Sequence, residues 1–160
     1  LMTRILRADE GTIEGHPPRI GMVFPDDRLC DAYDTITNVM MTMYGTGKGN
    51  ETDSCGSQGE RRKETAAWIK EEALNILPAD CLNRPVSELS GGMKRRCAIL
   101  RAMLSGADII IMDEPFTGLD EENRRKTAAY ILERLHGRTL FVTPHREEDT
   151  ALLEAVKIEL

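Results

Sequence analysis

Apolar residues fall into short blocks along this chain, and the spacing inside each block predicts its geometry. "GTIEG" (11–15) and "RIGMVF" (19–24) read as short strands separated by the turn-forming "GHPP". The Met-rich segment from Asp34 to Met43 reads as a helix, and the Gly/Ser/Asn/Asp-rich residues 45–59 as a loop. "ERRKETAAWIKEEALNIL" (60–77) sets Ile69, Ala73 and Ile76 on one face, the mark of an amphipathic helix. Pro78 and Pro85 then break the chain before "SELSGG".

The C-terminal half is patterned more sharply. "GGMKRRCAILRAMLSG" carries Met93, Cys97, Leu100 and Leu104 at helical spacing, which predicts Lys94, Arg95, Arg96 and Arg101 mostly on the outside. "DIIIMDE" (108–114) is a continuous β-branched run, suited to a strand buried on both faces of a parallel sheet. "EENRRKTAAYILERLHG" places Ala128, Ile131, Leu132 and Leu135 on one stripe and stops at Gly137. "RTLFVT" (138–143) reads as another buried strand. Helix, strand, helix, strand with short connections implies right-handed crossovers and a layered α/β fold. No internal repeat is visible.

Composition narrows this picture only slightly. The chain has 160 residues, 41% hydrophobic and 30% charged, which suits one globular domain with a real core. A net charge of −6 argues against non-specific attraction to nucleic acid or anionic membrane, and 4% aromatics argue against base-stacking platforms. Cys30, Cys55, Cys81 and Cys97 form no C-x-x-C pair, so buried or incidental thiols fit better than zinc or a redox couple. No apolar run approaches the ~18 residues of a membrane span, and no signal peptide is visible.

Candidate chemistry comes next. "YGTGKGN" (44–50) contains Gly47-Lys48, the heart of a phosphate-cradling loop, but the loop demands G-x-x-x-x-G-K-[ST]. Thr42 stands where the first glycine belongs and Gly49 where the hydroxyl belongs, so the stretch reads as a polar loop with a solvated lysine. "LSGGMKRR" (89–96) is stronger. Ser90 sits as an N-cap, and Gly91-Gly92 leave backbone N–H groups bare at the first helical turn, a site suited to a terminal phosphate. Taken alone, the stretch fits an ordinary capped helix equally well. Twenty-three positions after Ser90, however, "IIIMDEP" ends a strand in Asp113-Glu114. A carboxylate at the C-terminal end of a parallel strand lies where α/β folds bind ligands. Asp113 there suits Mg²⁺ and Glu114 suits orienting or deprotonating a water; the alternative is two solvated acids closing a strand. "TGLD" (117–120) gives a turn with Asp120 as a cap, and "FVTPH" ends the next strand in His145, placed to sense a terminal phosphate.

In these four elements, in this order, the chain resembles the ATP-binding subunit of ABC transporters: signature "LSGG", Walker B "IIIMDE", D-loop "GLD" and a switch histidine. "VFPDDRL" (23–29) is similar to the family's Q-loop, and "DEGTIEG" (9–15) to the segment after its Walker A helix. The combination of "LSGGMKRR" and "DEPF" is similar to nitrate, sulfonate or taurine importers. The resemblance implies a P-loop NTPase (RecA-like) core from 1–26 and 107–160, with an inserted helical subdomain from 27–106. It implies ATP and Mg²⁺ as cofactors, a second ABC ATPase subunit and transmembrane permease subunits as partners, no nucleic acid, and a cytoplasmic place on the inner face of the membrane. Ser90, Gly91 and Gly92 would touch the γ-phosphate of ATP held by a partner subunit. Asp113 would support Mg²⁺, Glu114 act as general base, Asp120 link the two sites of a sandwich dimer, and His145 stabilise the transition state.

Three departures from the family accompany this. The phosphate loop and its preceding strands are expected upstream of Leu1, with Leu1–Arg7 as the tail of the helix that follows, so these residues alone would bind ATP poorly. Pro25 replaces the Q-loop glutamine and has no side-chain amide. Pro144 separates Thr143 from His145, so either one residue is inserted or Pro144 occupies the histidine's place. The alternative reading is a degenerate, non-hydrolytic subunit that lends LSGG in trans to a competent partner.

Overall fold

A computed structural model describes residue 15, residues 19–44 and residues 58–156. The expected strand at 11–15 (apart from Gly15), the expected helix tail at 1–7, the loop at 45–57 and Cys55 lie outside the described residues.

Three parallel strands, β1 (Ile20–Val23), β2 (Ile109–Asp113) and β3 (Thr139–Thr143), form a sheet in the order β1-β2-β3. Parallel neighbours need crossovers. The first carries three helices, α1 (Thr35–Tyr44), α2 (Gln58–Leu74) and α3 (Gly91–Leu104); the second carries α4 (Glu121–Leu135). After β3 comes the short α5 (Glu147–Leu152). Short 3₁₀ turns at Ala79–Cys81 and Val86–Glu88 follow Pro78 and Pro85, whose fixed φ and missing N–H suit them to the residue before a helical turn. α2 begins at Gln58, so residues 58 and 59, read above as loop, belong to the helix.

The helices start where capping chemistry allows. Asp34 accepts from the Thr37 N–H at 2.7 Å and opens α1. Ser90 and Asp120 open α3 and α4 in the same way. α4 ends at His136, which turns into the left-handed region (φ 47°), followed by Gly137 (φ 76°), as the stop at that glycine predicts. The expected faces of α2 (Ile69, Ala73, Ile76) and α3 (Cys97, Leu100, Leu104) are buried in one core with Val39, Ile110 and Ile131. On α4, Ala128 and Ile131 are buried, while Leu132 and Leu135 are only half-buried.

Three burial expectations need correction. β2 covers one face only: Ile110 and Met112 are fully buried, whereas Ile109, Ile111 and Asp113 are half-buried. β3 is not a buried strand. Leu140 and Val142 lean on the core, but Thr139, Phe141 and Thr143 are exposed, Phe141 at 39%. The cause is alternation: successive side chains leave a strand on opposite faces, and the described helices pack on one of them. The third correction concerns α3. Arg95 and Arg96 are 5% and 8% exposed and Arg101 is half-buried, all turned inward rather than outward. A guanidinium tolerates burial when donors of its fork find carbonyl oxygens, as Nη1 and Nη2 of Arg95 and of Arg101 and Nε and Nη1 of Arg96 do here.

Candidate functional site

All three parallel strands deliver their C-terminal ends to one edge of the sheet. Pro25 lies two residues beyond β1, Glu114 one beyond β2 and His145 two beyond β3. Asp113 pairs in register with Thr143, and the Thr143 hydroxyl donates to the Asp113 carboxylate. Glu114 turns the chain with φ 47°, a left-handed conformation uncommon for a side chain of this kind, while its N–H still donates to the Thr143 carbonyl at 2.9 Å. Its carboxylate accepts from the Thr117 hydroxyl at 3.2 Å. Each acid is thus held by a threonine hydroxyl at the mouth of the sheet.

The signature turn is built differently. Ser90 is exposed and its Oγ accepts from the Met93 N–H at 3.3 Å, while its carbonyl accepts from Lys94 at 2.9 Å. The N–H groups of Gly91 and Gly92 come before the first intrahelical bond and lie at the positive end of α3. Gly92 has a packing reason to be glycine. A Cβ there would stand 3.0 Å from the Gly118 carbonyl oxygen and 3.2 Å from Leu119 Cδ2, so the signature turn touches the D-loop directly. Gly118 itself turns with φ 78°. Asp120 then caps α4, one oxygen accepting from the Asn123 N–H and the other from the Asn123 side-chain amide, each at 2.8 Å. These bonds hold the Asp120 carboxyl below its ordinary value.

Arginines fasten the surrounding loops. Arg95 donates to the carbonyls of Phe24 and Pro25, both at 2.6 Å, and lies 2.9 Å from Asp27, tying α3 to the loop after β1. Burial raises the Asp27 carboxyl above its ordinary value, with Arg95 opposing the rise. Arg101 donates to the Arg28 and Asp27 carbonyls at 2.7 and 2.9 Å. Arg124 on α4 pairs with buried Asp149 of α5 and with Glu121 at 2.9 Å. Asp149 also accepts from the Arg146 N–H at 3.2 Å, so the chain just after His145 is anchored to α4.

Of the residues singled out from sequence, the fold brings together two groups. Ser90, Gly91 and Gly92 lie at the turn that contacts Gly118 and Leu119, immediately before Asp120; Asp113 and Glu114 share Thr143 as a partner. His145 and Pro144 are exposed in the connection from β3 to α5. Among the described residues no hydrogen bond joins Ser90 or His145 to Asp113 or Glu114. Thr143, Thr117, Arg95, Arg96, Asn123 and Arg124 were missed by sequence reasoning. Asn123, three residues after a predicted cap, carried the only usable signal.

A carboxylate pair closing the middle strand of a described three-stranded parallel sheet, with helices in the crossovers, is consistent with an α/β domain of the P-loop NTPase class. The sequence match makes this specific: the family model described as ABC transporter covers residues 1–117, and the chain belongs to that family. It is 32% identical over 132 residues to the lipoprotein-releasing system ATP-binding protein LolD of Porphyromonas gingivalis, covering 81% of this chain and 55% of that protein. It is 26% identical over 150 residues to the taurine import ATP-binding protein TauB of Pseudomonas aeruginosa, covering 92% of this chain and 52% of that one. Among solved structures it is similar to the dimeric ATP-binding cassette MJ0796 bound to ADP and Pi, with a TM-score of 0.67, 28% identity, and coverage of 84% of this chain and 55% of that one. The chain spans about half the length of these relatives.

Proposed function

We propose that the chain serves as part of an ATP-binding and hydrolysing subunit of an ABC transporter, working in a sandwich dimer with a second ATPase subunit beneath transmembrane permease subunits. The observation that carries the reading is Asp113-Glu114 at the carboxyl end of the central strand, with an exposed capped LSGG turn packed on the D-loop. Residues 1–26 and 107–160 would belong to the RecA-like core, and 27–106 to the helical subdomain. The proposed place is the cytoplasmic face of a membrane; no helix among the described residues is long and apolar enough to cross one. The import subgroup first suggested by "LSGGMKRR" draws no extra support, since LolD is named for lipoprotein release and TauB for taurine import.

The residues present fit Mg²⁺ and the terminal phosphate of ATP. Asp113 is a half-buried carboxylate whose orientation is held by Thr143, as an acid assigned to a metal or its water needs to be. When bound, Mg²⁺ would neutralise charge on the phosphates. Glu114, held by Thr117, would orient or deprotonate the attacking water. Ser90, Gly91 and Gly92 would offer a hydroxyl and bare amides to the γ-phosphate of a nucleotide on the facing subunit. Asp120 would stand at the junction between the two sites, and His145 would donate to the transferring group.

A second reading, a non-hydrolytic subunit lending its signature in trans, is favoured by Pro25 and Pro144, which stand at two sensing positions. No G-x-x-x-x-G-K-[ST] run occurs within the 160 residues. Measured alone, the chain should therefore bind ATP weakly. The deciding assay mixes it with an ABC cassette that has its own phosphate loop but a disabled signature serine. ATP turnover should appear on mixing and vanish with Ser90→Arg; turnover indifferent to Ser90, or none at all, overturns both readings. Fusing a phosphate-loop segment ahead of residue 1 separates the two readings: self-stimulated turnover that falls with Glu114→Gln supports the hydrolytic reading, and no turnover from the fused chain alone supports the lending one.

A further inference from the structure

The least expected group near the site is Arg96. It is a cation at 8% exposure on the second turn of α3, and burial lowers its pKa. Its bonds run to three different segments. Nη1 donates to the Ile76 carbonyl beyond the end of α2 at 2.6 Å and to the Asn123 side-chain oxygen on α4 at 2.7 Å. Nε donates back to the Gly92 carbonyl in the signature turn at 3.2 Å. Asn123 in turn uses its amide nitrogen on Asp120 at 2.8 Å. A continuous path therefore runs Gly92, Arg96, Asn123, Asp120, closing a ring whose other side is the contact of Gly92 with Gly118 and Leu119.

We infer that Arg96 is a positioning residue that locks the signature turn and the D-loop into one unit. A bare van der Waals contact at Gly92 lets two loops slide. A buried guanidinium with fixed fork geometry does not, because moving either loop strands charged donors away from water. Asn123 is the adaptor: its oxygen takes the arginine while its nitrogen holds Asp120, so an aliphatic residue there removes both of these links and leaves the backbone cap of Asp120 on the residue-123 N–H in place. The consequence for turnover rests on the reading proposed above, in which both loops face a nucleotide. The lock itself does not depend on that reading.

Amide hydrogen exchange of the chain without nucleotide tests the lock. Two amides report on the D-loop turn: Thr117, bonded to the Glu114 carbonyl, and Leu119, bonded to the Phe116 carbonyl, both at 3.2 Å. In Asn123→Ala they should exchange about 10-fold faster, as expected for loss of a charge-assisted bond. Amides of Ile99 and Leu100, inside α3, should keep their rates. Adding Arg96→Lys in that background should change Thr117 and Leu119 little further, since the path is already broken. Unchanged exchange at Leu119 in Asn123→Ala overturns the inference. So does a rise shared equally with Ile99, which would mark a general loss of stability. If the double variant fails to fold, the single Asn123→Ala result decides. Because no nucleotide is used, a failed mixing assay leaves this result standing, and a failed lock leaves the mixing assay standing.

Discussion

Both carboxylate oxygens of Asp120 accept hydrogen bonds from a single residue, Asn123, and this gives the D-loop aspartate an acid signature. Its folded pKa lies below the ordinary 3.8. A depressed carboxyl contributes stability that is complete above 3.8 and is lost as pH falls through the lower folded value. The thermal midpoint should therefore drop in that acid window, and Asp120→Asn should flatten that part of the profile. An identical acid limb in the variant would assign the dependence to other groups. At this scale the sequence was a partial guide. Caps at Ser90 and Asp120 were readable because capping is local chemistry, settled within three residues. Arg95 and Arg96 were misread because helical periodicity assigns polar residues to water, and the Phe24, Pro25 and Ile76 carbonyls that receive them lie 20 to 71 residues away in the chain.

Elements meet through polar links as well as apolar ones. Tyr130 of α4 donates to the Glu72 carboxylate of α2 at 3.1 Å, and Arg134 lies 2.9 Å from the same oxygen. Burial, reinforced by the neighbouring carboxylate, pushes the Tyr130 hydroxyl upward, so it remains a donor at any ordinary pH. Tyr130→Phe should cost about 1 kcal/mol, the net worth of one hydrogen bond, read as a lower urea midpoint with an unchanged slope. No change would mean that Arg134 alone satisfies Glu72. Helix positions were legible from period and caps, and the three described strands from their β-branched and aliphatic runs. What failed was face assignment: β2 and β3 read as buried on both sides, yet only Ile110 and Met112, with Leu140 and Val142 beside them, meet the helices.

For the whole molecule, β2 is the centre of the described sheet. It pairs with both other described strands, and Ile110 on it is fully buried. Ile110→Ala should cost about 2–5 kcal/mol through the cavity it leaves. Trp68 is the single tryptophan and lies on α2, so its fluorescence reports on the proposed helical subdomain while far-UV circular dichroism reports on the whole chain. Coincident shifts in both signals mean one cooperative unit; a shift in circular dichroism alone means that 27–106 unfolds separately. The sequence by itself determined the parallel α/β class, the helix starts, and the order along the chain of the "LSGG" turn, the acidic strand end, the "GLD" turn and the segment after β3. These depend on local periodicity, capping and spacing along the chain. Only the tertiary structure decided that the signature turn rests on the D-loop, that Thr143 and Thr117 hold the two acids, and that arginines of α3 point inward. Those are contacts between residues distant in sequence, and a linear pattern holds no record of which carbonyl a buried guanidinium will find.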